Sequence, residues 1–599
     1  QATAGTGYSG PGGRGRGALG ARGPMFRDAI LRVAVGRTAP LLGLLPVLCA
    51  GEVEWSPPRV QLPFGEVQGS SLTSVDEFLG IPFAVPPVGE LRFAPPEPWA
   101  KRYPNGRLAA TRHSAACMQE LSAPTIWWVP QLFATSEDCL YLNIYRPRAA
   151  GIEGTGSRPV MLWIHGGSLM VGTGAMPTYN ATELVEAEGV VVVTINYRLN
   201  VFGFSPTIGA GGAAVANNGW RDQREAMRWV KGHIAAFGGD PSRVTIFGES
   251  AGGQSVFAHL LSPGSAGLFR GAISQSGDLE NQVSLQTGLA TTDLVARAAG
   301  CAGAADLRCL RNASAALLLG AMLRSGARPS SVVDGEILPA APLQVIDEGK
   351  FNNTVPFIMG VNARDFGLFS YPGFRVPSKS SSLLTVEETR CVFKSTFKDN
   401  ATHMMEVYPP RRSYGLFDNR DLVFELGTDL VFACPANKAA RALAAKGAAA
   451  WVYSFRRRPS CSPMPFPGPV HGAEMAYVFG NQVRMARSYN LVSGSSCQVS
   501  PQDEALSRTF MGLWATFARQ GAPSAAWPRW APGADPVLKL ELSSPSRLTT
   551  ESGFRSGQCG AQEAAGVRAE DITRLVAWLA VCQGPRLRRL AGEAPAILV

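Results

Sequence analysis

The stretch Arg243-Val-Thr-Ile-Phe-Gly-Glu-Ser-Ala-Gly-Gly253 decides the fold of this 599-residue chain. Its first half, Arg243–Phe247, is rich in β-branched residues, which is typical of a strand buried on both faces. Two glycines then allow a sharp turn, and Gln254–Leu261 continues as a helix. A GxSxG pentad between a strand and a helix leaves the serine hydroxyl exposed at the sheet edge. Chance alone gives about half such a pentad in a chain of this composition, so the flanking elements carry the prediction that Ser250 is a nucleophile.

Strand and helix signals alternate on both sides of this stretch, and no internal repeat is visible. Trp220–Phe237 has apolar residues at helical spacing, with charged residues on its other faces. Short, continuous apolar runs predict buried strands at Arg158–Ile164, Val190–Asn196, Gly271–Gln275, Phe357–Val361 and Ala450–Phe455. This order predicts an α/β fold with a mostly parallel central sheet and helices on both faces.

Composition excludes several classes of protein. With 46% apolar and 17% charged residues, the chain is globular and not disordered. Half of its net charge of +10 lies in the first 50 residues, which hold six arginines and one aspartate. No basic run is interleaved with aromatic residues, so nucleic acid is not an expected partner. No apolar stretch approaches the roughly 20 residues that a membrane span needs, so no transmembrane segment is expected.

The N-terminal region and the cysteines point to the secretory pathway. Residues 1–24 form a Gly- and Arg-rich extension, and residues 25–50 have the outline of a signal peptide, with arginines before an apolar run that ends in small residues. A disordered leader that nothing cleaves is the alternative. Eleven cysteines without a CxxC pair favour disulfides over a metal site. N-glycosylation sequons begin at Asn180, Asn312, Asn352 and Asn400, so we expect a secreted or lumenal protein.

A second glycine-rich segment, Trp163-Ile-His-Gly-Gly-Ser-Leu169, directly follows a predicted buried strand. Its small residues would let backbone N–H groups approach a reacting carbonyl, as an oxyanion loop requires. An ordinary glycine turn is the alternative.

Together these motifs resemble the type-B carboxylesterases, the α/β-hydrolase family that includes carboxylesterases and cholinesterases. The supporting stretches follow the family's order over roughly residues 55 to 560. They are Phe78–Phe83, Gly89–Phe93, Glu137–Asn143, Asn196–Arg198 and Phe237–Gly253. The resemblance implies a single domain over residues 51–585, followed by a short tail over residues 586–599.

The resemblance also implies the catalytic residues. Asp365, in Gly360-Val-Asn-Ala-Arg-Asp-Phe-Gly367, stands where the family more often has glutamate, and His471 lies in a closely matching histidine motif. Ser250, the acid and the histidine then occur in the order of an α/β-hydrolase triad. The implied oxyanion donors are the backbone N–H groups of Gly167, Ser168 and Ala251. Three further positions resemble the buried polar residues behind the family's triad, for which simple structural hydrogen bonding is the alternative role: Glu249, Ser276 and Glu474.

The cysteine positions resemble the family's disulfides. The resemblance implies the pairs Cys117–Cys139 and Cys301–Cys309, and it favours Cys434–Cys559. Cys461 and Cys497 are candidates for a further pair, Cys391 and Cys582 stay unassigned, and Cys49 would leave with the signal peptide.

The expected activity is hydrolysis of carboxylic esters through an acyl-enzyme, with a small ester and water as partners and no cofactor or metal. Trp128 resembles the tryptophan that packs on the choline cation in cholinesterases, with loop packing as the alternative. Residues 325–334 lack the aromatic acyl-pocket residues of those enzymes. An adhesion module that has lost its chemistry, a cholinesterase and a lipase remain alternatives at this point.

Overall fold

The computed structural model describes most of the chain beyond residue 55. The described residues are 56–120, 134–148, 157–209, 211–277, 282–352, 355–369, 384–410, 419–461, 468–494, 496–541, 548–567, Leu575 and Cys582. All belong to one compact unit, Trp55–Val599. The predicted extension, signal peptide and C-terminal tail lie outside the described residues, and the single domain over 51–585 stays a prediction. None of the described helices has the length and apolarity needed to cross a bilayer.

A mixed sheet forms the centre of the described part of the chain. It contains eleven strands, in the order β20-β19-β18-β17-β14-β13-β9-β10-β8-β4-β3. In chain order these are β3 (Ser70–Ser71), β4 (Val75–Pro82), β8 (Tyr141–Pro147), β9 (Arg158–Ile164), β10 (Val191–Ile195), β13 (Gly239–Glu249), β14 (Gly271–Gln275), β17 (Phe357–Asn362), β18 (Ala450–Phe455), β19 (Val537–Leu540) and β20 (Thr549–Glu551). The seven neighbours from β19 to β10 pair in parallel, and the remaining strands add antiparallel edges. The predicted, mostly parallel α/β sheet is confirmed.

Small sheets and bridging strands lie around this sheet. They are β1 (Arg59–Leu62), β2 (Gly65–Gln68), β5 (Arg107–Ala109), β6 (Ala116–Cys117), β7 (Thr135–Ser136), β11 (Thr207–Ile208), β12 (Ala214–Val215), β15 (Val283–Ser284) and β16 (Val332–Val333). Strand β13 begins four residues earlier than predicted, because its pairing with β9 is irregular between Gly239 and Val244. The residues from Gly239 to Val244 therefore form an irregular entry to the strand.

The helices of the described chain are α1 (Thr182–Glu188), α2 (Asn200–Phe204), α3 (Asn218–His233), α4 (Ala251–Leu261), α5 (Leu285–Ala298), α6 (Leu307–Asn312), α7 (Ala315–Ser325), α8 (Pro342–Asp347), α9 (Val386–Phe397), α10 (Ala401–Val407), α11 (Arg420–Thr428), α12 (Cys434–Ala445), α13 (Met475–Val478), α14 (Gln482–Ser493), α15 (Pro501–Gln520) and α16 (Ser556–Ala564). A π-helical segment, Asp429–Ala433, joins α11 to α12. Helix α3 covers the predicted amphipathic segment and ends in a 3₁₀ turn, Ile234–Phe237.

Alternation along the strands divides the core into two layers. In β9, Leu162 and Ile164 face the layer that contains residues of α3, α4, α8 and α12. Trp163, between them, faces the opposite layer with residues of α1, α13 and α15. Successive strand side chains point to opposite faces, so a strand covered on both sides must be apolar throughout. The helices on both faces agree with the predicted architecture.

Five disulfides fix the described chain. Two of them are the pairs that the resemblance implied, Cys117–Cys139 and Cys301–Cys309, and a third is the favoured pair Cys434–Cys559. The fourth joins the two candidates Cys461 and Cys497. The fifth joins the two unassigned cysteines, Cys391 and Cys582, across 191 residues. It ties helix α9 to a residue near the C-terminal end of the described chain.

Candidate active site

Ser250 stands at the turn between β13 and α4, where its backbone has φ +59° and ψ −126°. This conformation is unusual for a residue with a side chain. Two backbone hydrogen bonds fix it: the Ser250 N–H donates to Gln275 O at 2.8 Å, and Ser250 O accepts from the Gln254 N–H at 2.9 Å. A Cβ on Gly252 would lie 2.0 Å from Ile164 O, so only glycine fits there. The turn therefore presents the serine at the carboxyl end of the parallel strands.

Asp365 and His471 meet beside this turn. Asp365 follows β17 and is fully buried, and its Oδ1 lies 2.7 Å from Nδ1 of His471. Its Oδ2 accepts hydrogen bonds from Ser276 Oγ at 2.6 Å and from the Asn362 N–H at 2.8 Å. With both carboxylate oxygens engaged, Asp365 can fix the orientation of the imidazole and leave Nε2 for proton transfer.

The second nitrogen of His471 faces the residue before the serine. Nε2 lies 3.2 Å from Oε1 of Glu249, although neither atom has a hydrogen-bond partner among the described residues. Within the described chain, no hydrogen bond joins Ser250 Oγ to His471. Hydrogen bonds between catalytic groups commonly tighten only when the substrate binds.

Charge within this buried cluster alters its titration. Burial raises the pKa of Glu249 to about 8, and Glu474 and Asp365 add to the rise. Burial by itself would lower the pKa of His471, but Glu249, Asp365 and Glu474 outweigh it and raise that pKa to about 9. Because the histidine and Glu249 are in contact, each proton that binds belongs to the pair. The cluster therefore favours the imidazolium, the form that follows proton abstraction from serine.

Glu474 completes the buried carboxyl groups. Its two oxygens accept hydrogen bonds from Gln275 Nε2 at 3.2 Å and from Asn362 Nδ2 at 2.5 Å. Burial is the largest cause of its raised pKa, and Asp365 contributes next. The three polar residues predicted behind the triad thus lie at the site. Ser276 contacts Asp365, and Glu249 contacts His471. Glu474 contacts Gln275, which precedes Ser276, and Asn362, whose N–H donates to Asp365.

The predicted oxyanion loop lies against the serine. A Cβ built on Gly166 would be 2.9 Å from the Cβ of Ser250. The backbone N–H groups of Gly167, Ser168 and Ala251 donate no hydrogen bond within the described chain, and Ala251 begins helix α4. Backbone N–H groups at a helix N-terminus favour negative charge. All three N–H groups are therefore available as donors within the described part of the chain.

Two other histidines of the sequence are buried and serve as structural groups. His165 Nδ1–H donates to Gly166 O at 2.8 Å, and its ring stacks on Tyr197 with 4.4 Å between ring centroids. Burial lowers the pKa of His165 to about 4 and is also the main cause of the lowered pKa of His259. Both rings are therefore neutral near pH 7.

Sequence reasoning missed two aromatic side chains at the site. Phe369 and Phe432 lie 4.8 and 5.1 Å from the His471 ring, measured between ring centroids. Phe432 belongs to the π-helical segment, which has no sequence signature, and Phe369 lies four residues beyond Asp365. The two rings screen the imidazole from water and add apolar surface to the site.

Comparison with known proteins gives the family. The carboxylesterase family model matches residues 56–560. The chain belongs to the carboxylesterase family. Mouse (Mus musculus) acylcarnitine hydrolase is 38% identical over 82% of this chain and 89% of its own length. Pig (Sus scrofa) liver carboxylesterase is 36% identical over 82% of this chain and 91% of its own. A solved thermophilic PNB esterase superimposes with a TM-score of 0.70 at 30% identity, covering 84% of this chain and all of that one.

These relatives confirm the predicted fold and activity: the chain is an α/β-hydrolase that cleaves carboxylic esters.

The predicted substrate contact Trp128 lies outside the described residues. Among the described residues, ligand atoms of Cys301, Asp306 and Cys309 come within 4.8 Å of one another. The two cysteines form a disulfide and have no free thiolate for a metal.

Proposed function

We propose that this carboxylesterase uses Ser250 as nucleophile, His471 as general base and acid, and Asp365 as the residue that orients the histidine. The observation that carries this assignment is the buried 2.7 Å contact between Asp365 and His471 beside the strand-to-helix turn that presents Ser250. An adhesion module needs no such arrangement of an orienting acid, a base and a hydroxyl.

The reaction has two halves. Ser250 Oγ attacks the acyl carbon and its proton passes to Nε2 of His471, while the carbonyl oxygen becomes an oxyanion bound by the N–H groups of Gly167, Ser168 and Ala251. The alcohol leaves with the proton from His471, and an acyl-enzyme remains on Ser250. Water, deprotonated by His471, attacks that ester, and the carboxylic acid leaves as Ser250 regains its proton.

Glu249 stabilises the charge that appears on the histidine. Its carboxylate is within 3.2 Å of Nε2, so it favours the imidazolium during both halves of the reaction. The same contact opposes the return of His471 to its basic form. Because the basic form of His471 is needed for the reaction, its contact with Glu249 raises the pH at which the enzyme reaches full activity.

The proposed substrates are neutral esters with acyl groups larger than acetyl. Phe369 and Phe432 offer apolar surface beside the histidine, and the segment 325–334 has no aromatic side chain to narrow an acyl pocket. The names of two relatives, acylcarnitine hydrolase and cocaine esterase, state different substrates for those enzymes.

We place the enzyme in the secretory-pathway lumen or outside the cell. Five disulfides support an oxidising compartment. Asn312 and Asn400 are exposed and can carry a glycan, whereas Asn180 is half-buried and its side chain accepts a hydrogen bond from the Thr182 N–H. Peptide mass spectrometry after enzymatic deglycosylation of the secreted protein tests this assignment.

The catalytic assignment is tested by Ser250→Ala with p-nitrophenyl butyrate as substrate. Because the nucleophile and base act as one unit, turnover should fall by roughly four to six orders of magnitude. The control is Ser242→Ala, which removes an exposed hydroxyl on β13, the strand that leads to Ser250. A Ser250→Ala enzyme that keeps more than about a tenth of wild-type turnover would contradict the assignment.

A further inference from the structure

The oxyanion loop, which extends here from Gly166 to Gly172, holds a backbone conformation that its own sequence does not favour. Gly167, Ser168 and Leu169 all have positive φ, at +109°, +56° and +59°. Serine and leucine rarely adopt such values, and residues in them persist only where surrounding contacts over-determine the backbone. Two of the three residues supply the proposed oxyanion donors. The contacts that hold the loop therefore bear on its chemistry.

Asn200 provides the first set of these contacts. Its backbone N–H donates to Leu169 O at 2.7 Å, and its side-chain Nδ2 donates to Met170 O at 3.1 Å and to Met118 O at 2.8 Å. The side chain is fully buried, and Asn200 itself has φ +46°, which asparagine tolerates better than most residues. Asn200 thus binds two successive carbonyl groups of the loop, those of Leu169 and Met170, directly at the residues with positive φ.

Gln119 holds the far end of the loop. Its Oε1 accepts from the Gly172 N–H and its Nε2 donates to Gly172 O, both at 2.8 Å, so the amide side chain pairs with this residue as a neighbouring strand would. Nε2 also donates to Cys117 O at 2.9 Å. Gly172 cannot be replaced, because a Cβ there would lie 2.5 Å from the His165 ring.

Both amides join the same two segments. Asn200 links Met118 to Met170, and Gln119 links Cys117 to Gly172, so the oxyanion loop is fastened to residues 117–119 at two places. Residues 117–119 are anchored in turn by the Cys117–Cys139 disulfide and by the pairing of β6 with β7.

We propose that Asn200 and Gln119 are positioning residues for ester hydrolysis, which hold the Gly167 and Ser168 N–H groups where the oxyanion forms. The inference rests on the proposed role of these donors. Both side chains are buried and bind backbone groups of the loop and of residues 117–119, so each acts through the loop. Their removal should weaken binding of the transition state and leave binding of the uncharged ester largely unchanged.

The experiment compares three ligands in Asn200→Gly and Gln119→Met. The substrate is p-nitrophenyl butyrate. A trifluoromethyl ketone with the same acyl chain adds to the serine and places an oxyanion in the loop, whereas a non-hydrolysable ether isostere of the ester does not. Asn200→Gly removes the side-chain amide, and glycine can still adopt the positive φ of this position. Asn217→Gly is the matched control, because Asn217 is also buried with positive φ, and its amide pairs with Val332, outside the loop.

We expect kcat and the affinity for the trifluoromethyl ketone to fall together, by about tenfold to a hundredfold, with KM and the ether affinity changed less than about twofold. Gln119→Glu keeps the acceptor for the Gly172 N–H but sets a buried carboxylate oxygen against the Gly172 and Cys117 carbonyl oxygens, so it should lose at least as much ketone affinity as Gln119→Met. Equal losses of ketone and ether affinity, or an unchanged ketone affinity with a lowered Tm, would overturn the inference. If Asn200→Gly does not fold, Gln119→Met alone decides between these outcomes. Full activity in Ser250→Ala would instead refute the proposed function.

Discussion

Replacement of Glu249 by glutamine should move the acidic limb of the pH profile to lower pH. Nε2 of His471 lies 3.2 Å from the Glu249 carboxylate, and both side chains are buried. The carboxylate favours the protonated imidazole, which cannot act as a base. Glutamine keeps the shape of the side chain and removes the charge, so the histidine should lose its proton more readily.

The distance gives the size of this effect. Unit charges 3.2 Å apart attract by about 5 kcal/mol at an effective dielectric constant of about 20, equivalent to about four pKa units. This figure is an upper bound, because polar groups and water can reorganise around the imidazolium once the Glu249 charge is removed. Asp365 also stays in place. We therefore expect the limb to move by roughly one to two pH units.

The assay is kcat/KM for a neutral ester between pH 5 and 10, because this ratio reports the pKa values of the free enzyme. The wild-type limb should lie well above the ordinary histidine value, since the neighbouring carboxyl groups raise the pKa of His471 to about 9. Glu225→Gln is the control, because that buried glutamate lies on α3 and pairs with Arg228. A wild-type limb near pH 6.5 that Glu249→Gln leaves unmoved would refute the reasoning.

Three further predictions concern the acid, the turn and the alcohol group of the substrate. Asp365→Asn should lower kcat by about 10⁴-fold with the fold intact, since the histidine loses the partner that sets its tautomer; a near-neutral effect, measured beside circular dichroism, would show that another acid serves. Gly252→Ala should prevent recovery of active, folded enzyme, because the new Cβ would lie 2.0 Å from Ile164 O; an active variant of wild-type Tm would contradict the strain at this turn. Acetylcholine should be cleaved no more than about thirtyfold better than its uncharged carbon isostere; a preference above about a hundredfold that disappears in Trp128→Ala would identify a cholinesterase.

Local sequence predicts the turn at Ser250 because every requirement lies within a few residues. The β-branched strand, the glycines and the helix are adjacent, so the position of the turn follows from neighbouring residues. The sheet is predicted for a similar reason, since strands covered on both faces must be continuously apolar. The early start of β13 was not predicted, because an irregular register leaves no periodic pattern.

Contacts between distant segments were harder to predict. Asp365 and His471 are 106 residues apart, and only the family resemblance brought them together. The pair Cys391–Cys582 spans 191 residues, and no spacing rule selects it. Asn200 and Gln119 bind backbone carbonyls, which every residue carries, so their hydrogen bonds leave no trace in the sequence pattern. The contact of Glu249 with Nε2 of His471 depends on how the segment around His471 packs against the turn at Ser250, which the sequence does not show.

Labelling with a fluorophosphonate, followed by peptide mass mapping, tests most directly whether Ser250 is the nucleophile. We expect one adduct per chain, on Ser250, with loss of ester turnover in proportion to labelling. Prior incubation with the trifluoromethyl ketone should protect the serine, and Ser250→Ala should take no label. An adduct on another residue that tracks the loss of turnover, or full turnover with Ser250 completely labelled, would contradict the catalytic assignment.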